Sequence, residues 1–125
     1  MVKQEVINMI NNKDGMISIR VSGSLQKQFK EFCFMHRYVI NQLITDMYLK
    51  AIQKGKIPFD AAPIPYSYQK DEIQKRVAIR VPAEAKLQFA EICKLYGKSQ
   101  AYFIKSFMFQ CIQENCNILD KKKRT

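Results

Sequence analysis

Histidine occurs only once in the 125 residues, at His36, and tryptophan does not occur at all. Four cysteines, Cys33, Cys93, Cys111 and Cys116, form no Cys-x-x-Cys pair. With one imidazole and that cysteine spacing, the usual zinc ligand sets cannot be assembled, so no metal site is expected. Glycine is sparse as well: Gly15, Gly23, Gly55 and Gly97 stand apart, and no phosphate-cradling loop exists. A nucleophile–base pair can be drawn only between Cys33 and His36, at i and i+3 of a helix. The apolar stripe buries Cys33, however, so neither catalytic residues nor a cofactor is expected. No apolar run approaches the roughly 18 residues of a spanning helix. The opening MVKQEVINMINNKDG lacks the apolar region of a signal peptide. The expectation is a cytoplasmic protein without a membrane partner. Acidic side chains are the last shortage. Eleven Asp and Glu against 21 Lys and Arg leave a formal charge of +10, which calls for a polyanionic partner. The 47% hydrophobic content is enough for a core and excludes a disordered chain.

What the sequence does contain is organised around two short alternating stretches, Ile17-Ser18-Ile19-Arg20-Val21-Ser22 and Val77-Ala78-Ile79-Arg80-Val81-Pro82. Period-two alternation sends Ile17, Ile19 and Val21 to one face and Met16, Ser18 and Arg20 to the other. In the second copy Val77, Ile79 and Val81 face inward, and Arg76, Ala78 and Arg80 outward. An arginine on the open face of a short strand suits base reading, since its fork meets guanine O6 and N7 together.

Each strand leads into helical spacing. Ser22-Gly23-Ser24 offers capping residues, and Leu25, Phe29, Phe32 and Cys33 make an amphipathic stripe. A second helix starts near Ile40, buries Leu43, Ile44, Met47, Tyr48, Ala51 and Ile52, and stops near Gly55. Residues 56–75 read as a linker, because Pro58, Pro63 and Pro65 forbid a regular helix. A shift of sixty residues, without a gap, then repeats the unit. It aligns Ile19-Arg20-Val21 with Ile79-Arg80-Val81, Gln28-Phe29 with Gln88-Phe89, Cys33 with Cys93 and Ile52-Gln53 with Ile112-Gln113. The predicted organisation is an N-terminal arm (1–15), a first unit (16–55), the linker (56–75), a second unit (76–115) and a basic tail (116–125). The arm is either a short docking helix or a segment that orders on a partner. Phe29, Phe32, Phe89, Phe103 and Phe107 are assigned to the core. Cys33, Cys93 and Cys111 are read as small buried hydrophobes. Phe34, Tyr38, Tyr66, Tyr68 and Tyr102 have no clear place.

One unit of about 40 residues seldom buries enough surface to fold alone, and a lone strand leaves its backbone groups unpaired. Antiparallel pairing of the two strands solves both problems. The predicted fold is mainly α with one short antiparallel two-stranded β-ribbon. Arg80-Val81-Pro82 followed by Phe89, then Gly97-Lys98-Ser99 and Phe103-Ile104, resembles the ribbon-helix-helix family, the Arc and MetJ type of DNA-binding protein. The resemblance spans about residues 16–55 and 76–115 and implies two fused ribbon-helix-helix units forming an intramolecular pseudodimer. It also implies that Met16, Ser18, Arg20, Arg76, Ala78 and Arg80 face bases. Lys98, Ser99 and Gln100 at a helix start, with Arg37 and Lys75, become the phosphate contacts. The first unit departs from the pattern: Arg37-Tyr38-Val39 stands where Gly97-Lys98-Ser99 should recur, so its interhelical turn is either strained or different in shape. Unlike halves imply a non-palindromic or direct-repeat target.

The function implied is sequence-specific binding of double-stranded DNA by a transcriptional repressor, nucleoid-associated when bound. An accessory component of a plasmid-conjugation relaxosome, working with a relaxase, is the alternative. A second alternative is an antitoxin with a toxin partner, because Lys54-Gly55-Lys56-Ile57-Pro58-Phe59 looks like the segment after the second helix in such proteins. Self-association of neighbouring pseudodimers on DNA is a further implication of the family.

Overall fold

A computed structural model describes residues 15–61, 63–65 and 73–113. The expectations for the N-terminal arm through residue 14, for Tyr66 and Tyr68, and for Cys116 with the basic tail lie outside these residues. The elements run β1 (Met16–Ser22), α1 (Gly23–His36), α2 (Ile40–Lys54), β2 (Gln74–Arg80), α3 (Ala83–Tyr96) and α4 (Gln100–Ile112).

β1 and β2 form one antiparallel ribbon, pairing Met16 with Arg80, Ser18 with Ala78, and Arg20 with Arg76. A shift of sixty residues carries Ser18 onto Ala78, and these two are cross-strand partners. The axis relating the repeats therefore passes between them. The inward residues are buried as the alternation requires: Ile17, Ile19 and Val21 in one strand, Ile79 in the other, with Val81 just past its end. Val77 is only half-buried. The second strand starts at Gln74, inside what the sequence assigns to the linker. Val21 and Ser22 need backbone partners, and Lys75 and Gln74 supply them. Two further bonds extend the pairing: Gly23 N–H donates to Ile73 O (2.8 Å) and Val81 N–H to Gly15 O (3.1 Å). A Cβ at Gly15 would run into the Val81 carbonyl. Glycine is required there by close backbone approach.

Ser22 caps α1, its Oγ accepting from Leu25 N–H at 3.0 Å. Pro82 holds the matching place before α3 at φ −58° and makes no side-chain cap; its ring sets the entry angle instead. The core lies between the units rather than within them. Helix α2 packs against α3, and α1 against α4. Tyr48 of the first unit stacks on Phe89 of the second with centroids 3.9 Å apart, and Phe89 meets Phe103 edge-on at 6.5 Å. Each half thus covers the other's apolar stripe. This arrangement resembles a fused, pseudodimeric ribbon-helix-helix fold.

The linker's first part is not idle. Ile57 is buried, its N–H donates to the Tyr96 hydroxyl at 3.0 Å, and Phe59 lies against Phe107 at 5.6 Å. Gln110 Nε2 donates to the Asp60 carbonyl. The stretch straps the first unit onto the second.

Candidate nucleic-acid interface

The ribbon's outward face presents Met16, Ser18, Arg20, Arg76, Ala78 and Arg80, all exposed. Helices cover the other face, so these six side chains form one continuous open surface. Arg20 and Arg76 stand directly across from each other. Like charges in that position repel and destabilise a sheet. Among the described residues the ion pair found is Lys94 with Glu91, on the surface of α3, and no carboxylate relieves the ribbon arginines. An exposed ribbon bearing three guanidinium groups, none of them ion-paired among the described residues, holds an electrostatic cost that an anion would remove.

Lys75 does not share this face. It pairs with Val21, so alternation turns it the other way, and it is exposed near the ribbon's end.

The starts of α2 and α4 differ as the sequence suggests. Ser99 caps α4, with Oγ accepting from Tyr102 N–H at 3.1 Å; Val39 before α2 makes no such bond. Lys98 Nζ sits 4.8 Å from the Tyr102 ring centroid, which holds the charge beside the helix start. The Gln100 side chain is already engaged, its Oε1 accepting from the Tyr48 hydroxyl at 2.8 Å. What Gln100 offers an anion is its backbone N–H at the positive end of the helix.

Arg37 adopts the left-handed conformation (φ 62°), as Gly97 does in the second unit (φ 70°). Both turns close with the same pair of bonds. Arg37 N–H donates to Phe34 O and Tyr38 N–H to Cys33 O; Gly97 N–H donates to Lys94 O and Lys98 N–H to Cys93 O. Of the two alternatives for this turn, the strained one is correct: shape is kept and arginine bears the steric cost. Replacing Arg37 by glycine should therefore stabilise the fold by about 1 kcal/mol, read as a higher melting temperature. A lower one would mean that the arginine side chain itself holds the turn.

Two supports were not foreseen. Asn41 Oδ1 accepts from Arg80 N–H at 3.1 Å, and Lys86 Nζ donates to Met16 O at 3.1 Å. Both brace the Met16–Arg80 end of the ribbon. Asn41 corresponds to Ala101 in the repeat, which has no side-chain oxygen to offer. A comparison of the two halves marks the position as unequal, but nothing in the sequence says that it reaches the ribbon.

Among the described residues no group of three metal-ligating side chains occurs, and no helix is long and apolar enough to cross a membrane. Cys33 is 3% exposed, and the His36 ring packs on Phe32 at 4.4 Å. Burial pushes the Cys93 thiol up to about 12 from its ordinary 9.0. Burial, with Cys93 nearby, also moves the Tyr48 hydroxyl well above its ordinary value. Raised values mean that the folded state holds protons the unfolded chain releases. Their stabilising contribution is complete below pH 9, where both groups are neutral in either state. It is lost as pH rises above the unfolded values of 9.0 and 10.0. Melting temperatures should be level in this respect between pH 7 and 8.5 and decline above about pH 9–10. An increase over that range would contradict the burial of this pair.

At the level of architecture the chain resembles ribbon-helix-helix nucleic-acid-binding proteins. No family model, no curated protein and no solved structure matches it.

Proposed function

We propose that this protein binds double-stranded DNA by inserting the ribbon into the major groove, and that it acts as a transcriptional repressor by occupying a promoter. The observation that carries this reading is the Arg20–Arg76 pair on an open face shared with Arg80, with no ion pair to these arginines among the described residues. A major groove about 12 Å wide admits a two-stranded ribbon, and arginine forks suit guanine edges. The small Ser18–Ala78 pair at the centre allows the ribbon to approach the groove floor closely. Helix starts at Ile40 and Gln100, together with Lys98 and Arg37, would take up backbone phosphates, and Lys75 adds charge near the ribbon's end. Because the ribbon is antiparallel, its two halves would meet inverted half-sites. That favours an imperfect inverted target over a direct repeat.

The antitoxin reading is the less favoured one. The segment that would hold a toxin is packed within this chain through Ile57 and Phe59. A relaxase-assisting role shares the same DNA-binding face; stimulation of relaxase nicking would identify it, and repression of a promoter reporter would identify a repressor.

Salt titration of duplex binding tests the common element. Neutralising about five phosphates gives a log–log slope of roughly −4 to −5. A slope near zero, or no binding to any duplex, would overturn the proposal.

A further inference from the structure

We propose that the two ends of the ribbon read different base compositions. The Arg20–Arg76 end selects a half-site with two guanines within a step or two, and the Met16–Arg80 end selects one guanine beside a thymine. This rests on the reading of the ribbon as a major-groove element and goes on to say what each end prefers.

The register carries the inference. Arg20 and Arg76 are direct partners at one end, whereas Arg80 is opposite Met16 at the other. Cross-strand Cα atoms are about 4.5–5.5 Å apart, so two guanidinium groups at one end reach base pairs separated by one or two steps. Each fork fits O6 and N7 of a guanine. Met16 brings no donor. Its exposed thioether chain (39% accessible) suits the thymine C5 methyl, the apolar feature of the major groove.

The ends also differ in which side chains hold the backbone. Asn41 and Lys86 hold both backbones at the Met16–Arg80 end. Their counterparts under the sixty-residue shift are Ala101 and Gln26. Ala101 has no side-chain acceptor, and no bond from Gln26 to the ribbon is found among the described residues. Charge on the outward face is uneven too, with two arginines at one end and one at the other. One end presents two arginines; the other presents an arginine with its backbone held by Asn41, next to an apolar side chain.

The test is selection of bound sequences from a random duplex pool with the full chain and with two variants, Met16→Arg and Arg20→Ala. Melting curves confirm that each variant is folded. The wild-type motif should have unequal inverted halves, one with two guanines and one with a single guanine and a thymine. Met16→Arg should replace the thymine preference by guanine and make the halves more alike. Arg20→Ala should lower guanine preference about 5- to 100-fold in the guanine-rich half only. Equal halves in the wild-type motif would overturn the inference and leave the proposed function standing. So would a Met16→Arg motif identical to wild type, or an Arg20→Ala variant that relaxes both halves equally. If no duplex sequence is enriched by the wild-type chain, the underlying reading fails as well.

Discussion

Replacing Arg20 and Arg76 together by glutamine should make the free protein slightly more stable while weakening its grip on DNA by on the order of 100-fold or more. The two effects have separate causes. In the free chain Arg20 and Arg76 are direct partners across the ribbon and neither makes an ion pair among the described residues, and removing like charges directly opposite relieves about 0.2–1 kcal/mol. Glutamine keeps much of the side-chain stem, so ribbon packing is little disturbed. On DNA each fork would supply about 1–3 kcal/mol of discrimination, and both are lost. The neighbours share an environment, so the combined loss need not equal the sum of the single losses. Thermal melting and fluorescence anisotropy with a selected duplex read the two quantities independently. Opposite signs mark residues retained for binding at a cost to the fold. A parallel fall in stability and affinity would mean that the arginines hold the ribbon together and act on DNA only indirectly.

Phe89→Ala should be the most damaging single change to the fold, costing about 3–5 kcal/mol. Phe89 is fully buried. It lies between Tyr48 from the other unit and Phe103 from its own. Its loss opens a cavity where the two units meet. Whole domains are stable by only about 5–15 kcal/mol, so most of the margin would go. Because each unit completes the other's core, unfolding should remain a single transition. Urea unfolding followed by far-ultraviolet circular dichroism and by tyrosine fluorescence should give coincident curves, with the midpoint moved sharply down. Two separated transitions would indicate units that fold independently, contrary to the packing of α2 on α3 and α1 on α4.

Much of this architecture was legible because it depends on short-range periodicity. Ile17, Ile19 and Val21 alternate over one full strand face. Leu25, Phe29, Phe32 and Cys33 mark a helix face without help from the rest of the chain. Gly55 and Gly97 announced helix ends through their tolerance of positive φ, and the offset repeat implied a shared ribbon. Features that depend on distant partners were not legible. Gln74 and Lys75 carry no apolar alternation, and they join the strand because Val21 and Ser22 need hydrogen-bond partners. Ile57 and Phe59 sit among prolines with no period to reveal burial, yet they pack on the second unit. Alignment of Arg37 with Gly97 marked that turn as either strained or different in shape, and the sequence alone did not choose between the two. The paired backbone bonds of that turn outweigh a cost of about 1–2 kcal/mol. For the interface, the outward set followed from alternation, but the Arg20–Arg76 juxtaposition required the register. Asn41 and Lys86 required the tertiary structure.

Entry of the ribbon into the major groove is tested most directly by base analogues placed in a selected duplex. 7-Deazaguanine removes the N7 acceptor from the major groove, and inosine removes the guanine N2 amino group from the minor groove. Deaza substitution at the guanines facing Arg20, Arg76 or Arg80 should weaken binding about tenfold per site, with inosine at the same sites leaving it unchanged. Weakening by inosine and indifference to 7-deazaguanine would place the protein on the other side of the helix and contradict the role assigned to the ribbon.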